Sequence, residues 1–221
     1  MSRILQLPDG PLTLSGAGRQ WAVPGAPFTG RVAYAAAHVV ADPAAENVPG
    51  TPPAVDWDAT IAYRRRLWSL GFGVAEAMDT AQRGMGLDYP VARELIRRSA
   101  REAAAVGGTI AAGVATDQLP PGPATLGEIG KAYGEQLADV QEAGATPVLM
   151  CSRHLAAAAR SAQDYLDVYG RLIEDADRPV VLHWLGPAFD PLLAGYWGAG
   201  EQGRAGLSRH LFAAPVGVAQ P

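Results

Sequence analysis

The sequence predicts an α/β fold on a parallel sheet: an incomplete (β/α)8 TIM barrel of about five βα units, preceded by an N-terminal β-hairpin. Three observations carry this. Five short apolar runs rich in Ala and Val, at residues 31–37, 72–78, 109–115, 146–151 and 179–184, recur at intervals of roughly 33 to 41 residues. The stretches between them show helical periodicity, and alternating β and α segments are the pattern of parallel strands joined by crossover helices. Each run ends in a polar cluster, which is where a parallel barrel carries its ligand site. Eight such units close a barrel, whereas five leave an open edge.

Residues 1–30 read as a hairpin and cap, because Asp9-Gly10 stands between alternating apolar residues, with Pro8 and Pro11 flanking. Residues 31–186 form the partial barrel. After the first run, Pro43, Pro49, Pro52 and Pro53 rule out a helix and predict a long irregular loop. Asp56 or Asp58 then caps a helix to about Leu70, and Gly71 and Gly73 end it. Apolar and Ala positions recur every three or four residues over 89–106 on a charged background, the pattern of an outer helix, and Gly107-Gly108 stops it. The third run precedes a second proline loop at 120–123 and a helix to about Ala143; the fourth precedes a helix over 162–176. Residues 187–221 read as an irregular tail without a sixth unit. Within it, 199–221 stand as a candidate frameshift product.

Composition narrows the function classes. The chain has 221 residues, 48% of them hydrophobic, and a mean hydropathy of +0.02, enough for one sizeable core. No apolar run approaches the roughly 20 residues of a membrane span, and the start lacks a signal peptide's basic end and apolar stretch. A cytoplasmic location and no membrane partner are expected. Cys151 is the single cysteine, so no internal disulfide forms. A formal net charge of -4 argues against a nucleic-acid partner. The one basic run, Arg64-Arg65-Arg66, reads as a solvated helix face, with phosphate contact as the minor alternative.

The order of segments over residues 30–185 resembles the dihydrodipicolinate synthase and N-acetylneuraminate lyase family of aldolase-type barrels, especially a divergent, uncharacterised branch classed as a domain of unknown function. The resemblance rests on the helix of residues 58–70 leading to Gly71, the helix with Arg93-Glu94, the strand Thr109-Ile110-Ala111-Ala112-Gly113, the Glu142-Ala143-Gly144-Ala145 turn, and Asp177-Arg178-Pro179-Val180-Val181-Leu182. It implies a lyase acting on a small keto acid or related carbonyl compound through a Schiff-base lysine on the sixth strand. It also implies a proton-relaying tyrosine on the fifth strand and a Gly-Thr-Thr-Gly-Glu loop that holds the carboxylate. Here the tyrosine position falls on His183. The loop corresponds to Met78-Asp79-Thr80-Ala81-Gln82, which keeps one hydroxyl. The sole lysine, Lys131, lies in the helix after the third strand and is expected to face solvent. The chain stops one strand short of the lysine strand, so its activity is expected to be impaired or lost, and no cofactor is expected.

His183 is therefore the candidate catalytic group, since an imidazole titrates near neutral pH. The candidate substrate-binding residues are Glu76, Asp79, Thr80, His38 and Arg153. Each keeps a structural alternative. Glu76, in an apolar strand, needs a partner or a metal, and Arg83 or Arg153 would serve as the ion-pair partner. Asp79 and Thr80 hold a substrate carbonyl or cap the next segment, and His38 anchors a loop. Arg153 with His154 binds a carboxylate or phosphate, or is exposed. Cys151 reads as a small buried hydrophobe. A second class of function uses His38, Glu76, Asp79 and His183 as ligands of a divalent metal that stabilises an enolate. A third is a non-catalytic fragment. The open fifth-strand edge predicts self-association into a homo-oligomer.

Overall fold

The computed structural model describes residues 3–14, 30–48, 51–81, 83–84 and 86–198. Strands β1 (Arg3–Leu7) and β2 (Gly10–Leu14) pair antiparallel with Leu7 opposite Gly10, so Pro8 and Asp9 make the connection. The hairpin is present, but it forms a separate two-stranded sheet. Ile4, Leu7 and Leu12 are 62%, 49% and 47% exposed, so these side chains do not seal a sheet end. A two-stranded ribbon has no second layer of its own in which to bury a face.

The five apolar runs become β3 (Tyr34–Ala36), β4 (Gly73–Glu76), β5 (Ile110–Val114), β6 (Thr146–Leu149) and β7 (Val181–Leu182). They lie parallel in sequence order, β3-β4-β5-β6-β7. The paired strands are shorter than the runs, yet the ladder continues past them. Met150 N donates to Val114 O at 2.9 Å and His183 N to Leu149 O at 3.0 Å. Crossovers of one hand between strands in sequential order put their helices on one face, and the sheet curls around the other as half of a barrel. Among the described strands, β3 and β7 are the edges. At the β7 edge Val181 and Trp184 are each 46% exposed.

The helices start where side chains satisfy their first amides. In α1 (Trp57–Ser69) Asp56 accepts from Ala59 N at 2.9 Å, and in α2 (Tyr89–Val106) Asp88 accepts from Val91 N at 3.2 Å. Helix α2 ends on Gly107 at φ 67°, a left-handed cap that glycine adopts without Cβ strain. Helices α3 (Leu126–Glu142) and α5 (Ala162–Glu174) each carry a capping box, Thr125 with Glu128 and Ser161 with Asp164. A short α4 (Arg153–Ala158), which the sequence reading omits, starts on Ser152.

The period of two along each strand decides what the site can contain. Val74, Ile110, Ala112, Val114 and Leu149 face the helices and pack with Leu95, Ile129, Tyr133 and Leu137. The opposite, concave face carries Ala75, Ala111, Ala115, Val148 and Met150. Residues 187–198 are irregular, with 3-10 turns at Pro191–Leu193 and Tyr196–Gly198, but they are packed. Leu193, Tyr196 and Trp197 are buried in the larger core, with Tyr196 edge-on to Tyr165 at 4.7 Å and Trp197 against Tyr169 at 4.6 Å. The candidate frameshift segment, 199–221, lies outside the described residues. Among those described, no helix is long and apolar enough to cross a membrane.

Candidate functional site

A cavity of about 660 Å³ opens beyond the carboxyl ends of β5, β6 and β7. Its floor is Ala115 and Met150, and Phe189 and Leu192, 83% and 66% exposed, stand in its wall. Of the predicted site residues, His183, Asp79 and Arg153 line it, whereas Glu76 and His38 do not. Thr80 follows Asp79 in a 3-10 turn over Asp79–Ala81; its side chain lies outside the described ones.

Glu76 points away from the cavity because it shares the helix-facing side of β4 with Val74. Its carboxylate meets Arg64 of α1 in a two-pronged pair, Nε to Oε2 at 2.6 Å and Nη2 to Oε1 at 2.7 Å, with both side chains fully buried. Arg64 Nη1 also donates to His38 O at 2.8 Å and Thr60 O at 2.9 Å. The structural partner of Glu76 is therefore Arg64, not Arg83 or Arg153. The arginine run is correspondingly not a uniform solvated face. The metal set does not converge either: with Glu76 sealed behind the sheet, His38, Asp79 and His183 lose their fourth donor. Among the described residues no group of three or more His, Cys, Asp or Glu is placed to hold a metal ion.

Arg83 lines the cavity but is committed to its wall. Nη1 donates to Gly113 O at 2.6 Å and Ala77 O at 3.3 Å, while Nε and Nη2 grip Asp117 at 3.0 and 2.7 Å. Gln136 Oε1 accepts from Arg83 Nη2 and from Ala115 N, and its Nε2 donates to Asp117 at 2.9 Å. Burial pushes the Asp117 carboxyl up, but the Arg83 hydrogen bonds and charge, with Gln136, outweigh it and hold the group below the usual carboxylate range. Arg153, by contrast, is exposed and pairs with Asp190 at 2.6 Å across the rim.

The groups still able to act face inward. His183 follows Val181 on the concave side of β7, and its buried Nδ1 has no hydrogen-bond partner. Its carbonyl accepts from Cys151 Sγ at 3.5 Å. Burial raises the Cys151 thiol to about 11, which keeps it protonated and weakly nucleophilic. Thr116 lines the same cavity, and its Oγ1 lies 2.6 Å from Ser152 Oγ and 3.2 Å from His154 Nδ1. Thr116 and Ser152 are 2% and 3% exposed.

A buried tyrosine cluster holds this wall in place. Tyr133 and Tyr169 hydroxyls donate to Met150 O at 2.5 and 3.1 Å, and Ser152 N donates to Tyr196 Oη at 3.0 Å. Tyr169 has spent its proton on Met150 O, so at 2.9 Å Tyr196 donates to it. Burial drives the Tyr133, Tyr169 and Tyr196 hydroxyls well above the ordinary phenol value, so they remain protonated donors. The sequence places Thr116 and residues 151–154 at neighbouring strand ends and offers His154 beside Arg153 as an anion ligand, but it does not show that Thr116 bonds to Ser152 and His154; Ser152 before an apolar run was a readable helix cap.

Residues 12–212 match the family described as a protein of unknown function (DUF993). No curated protein matches the chain. With the match running through the hairpin's second strand, all five parallel strands and the cavity, the chain belongs to the DUF993 family.

Proposed function

We propose that this chain is a dihydrodipicolinate synthase-like, aldolase-type protein whose cavity binds a small keto acid or related carbonyl compound and moves a proton on the carbon beside the carbonyl. One observation carries the reading: the buried, unpartnered Nδ1 of His183 in the cavity wall at the end of the fifth parallel strand. A buried polar atom without a partner costs about 1–3 kcal/mol, a cost that a bound ligand relieves by supplying the partner. An imidazole so placed is the general acid or base that the reading needs.

No imine route is included. Lys131 is the only lysine in this sequence, and its side chain is 80% exposed on α3, 3.9 Å from Glu135. These residues therefore support exchange of the carbon-bound proton rather than imine-dependent cleavage of a carbon-carbon bond.

Proton NMR in D2O tests this. With pyruvate, loss of the methyl signal is expected to exceed the buffer rate, and His183→Gln is expected to return it to that rate without a change in melting temperature. Exchange that survives in His183→Gln, or none in the parent chain, rejects the reading. Borohydride with pyruvate is expected to leave Lys131 unmodified, and a stable adduct there would restore the imine route.

A further inference from the structure

The hydrogen bonds around His154 fix their own direction. Nε2 lies 3.1 Å from Pro120 O, and a carbonyl oxygen only accepts, so Nε2 carries the ring proton. In the neutral ring Nδ1 is then an acceptor, and Thr116 Oγ1 at 3.2 Å donates to it. Thr116 has one proton to give, so across the 2.6 Å contact Ser152 is the donor and Thr116 the acceptor. Ser152 Oγ also accepts from Leu155 N at 3.1 Å as the cap of α4. The hydroxyl protons of Ser152 and Thr116 are thus directed toward His154, and Thr116 Oγ1, which accepts from Ser152 alone, keeps acceptor capacity at the cavity it lines.

We infer that Ser152, Thr116 and His154 form a directed hydroxyl-imidazole relay, and that the ligand of the cavity is a carbonyl compound that also carries a hydroxyl, whose proton this relay accepts. The inference rests on the reading that the cavity takes a small carbonyl compound. The remaining acceptor site of Thr116 selects the group. A ketone or carboxylate oxygen would meet it lone pair to lone pair, whereas a hydroxyl donates into it. The step moves one proton at each atom: the ligand O–H bond breaks toward Thr116 Oγ1 while the Thr116 proton passes to His154 Nδ1. The electron pair stays on the ligand oxygen. Thr116 leaves β5 and His183 leaves β7, two strand spacings or about 10 Å apart. A ligand between them presents its hydroxyl to the relay and its carbon-bound proton to His183, so the two walls handle different hydrogens.

Calorimetric titration with pyruvate and hydroxypyruvate, which differ by one hydroxyl, provides the test. The parent chain is expected to bind hydroxypyruvate roughly tenfold more tightly, the worth of one well-made hydrogen bond. Thr116→Val is expected to erase that preference, and Thr116→Ser to restore it. Independently, long-range 1H–15N NMR is expected to find the His154 proton on Nε2, a readout available even if Thr116→Val fails to fold. Equal binding of both compounds by the parent chain, a preference that survives in Thr116→Val, or a proton on Nδ1 overturns the relay alone. Binding of neither compound overturns it together with the carbonyl reading.

Discussion

Replacing Glu76 with Gln separates a structural carboxylate from a ligand-binding one. In the native fold the Arg64 guanidinium is held by two contacts of 2.6 and 2.7 Å to Glu76 and by the carbonyls of His38 and Thr60, with no exposed side-chain surface on either partner. Glu76 Oε1 also accepts from Ala77 N at 3.0 Å. Glu76→Gln removes the negative charge and leaves the arginine charge buried without its counter-ion. Arg64→Met does the reverse. Breaking one side of a buried pair costs about 3–5 kcal/mol, and a chain of this size loses about 2–4 °C of melting temperature per kcal/mol. Each single variant is therefore expected to melt roughly 6–20 °C below the parent. The double variant Arg64→Met with Glu76→Leu removes both charges and is expected to recover most of that loss, since desolvating the pair offsets much of its attraction. Differential scanning calorimetry on all four proteins compares these losses directly. A Glu76→Gln protein that melts normally but loses pyruvate binding would refute this reasoning and put Glu76 back at the ligand.

Three further outcomes follow from the geometry. With its thiol raised to about 11 by burial, Cys151 in the native protein is expected to react with a disulfide reagent at pH 7.5 far more slowly than in urea; equal rates would contradict its environment. Asp117 is held below its ordinary value in the fold, so its contribution to stability is present above the unfolded carboxylate value of about 4 and is lost as pH falls through the lower folded value. Urea midpoints between pH 6 and 2 are expected to fall less steeply for Asp117→Asn than for the parent, and identical slopes would remove Arg83 as the cause. Gly113→Ala places a methyl 2.6 Å from Met150 Sδ and 2.9 Å from Ala77 O. The sulfur can move but the backbone oxygen cannot, so chemical denaturation is expected to show a loss of about 1–3 kcal/mol; a neutral result would mean that β4 and β5 are less tightly apposed.

Much of the fold was legible because local chemistry specifies it. Asp56, Gly107 and the helical period mark α1 and α2 to within a residue or two, and the five apolar runs place all five parallel strands. The site was legible only in part. His183 and Asp79 reach the cavity from strand ends, as does Arg153, but Arg153 is occupied by Asp190. Glu76 was misplaced because a lone carboxylate in an apolar strand signals burial without saying on which face. Its pairing with Val74 at a spacing of two was the unused clue.

What the sequence determined by itself was the order of elements, their caps and their class, since these depend on residues a few positions apart. What the tertiary structure decided depends on residues that only packing brings together. Arg64 in a run of three arginines becomes the buried partner of Glu76 because α1 lies on β4. Thr116, Ser152 and His154, separated by 36 and 38 positions, meet because β5 and β6 are parallel neighbours. Residues 187–198, featureless as sequence, become part of the core because Tyr196 and Trp197 find Tyr165 and Tyr169 on α5. Period and capping are written along the chain, whereas the identity of a partner across the sheet is settled only when the faces meet.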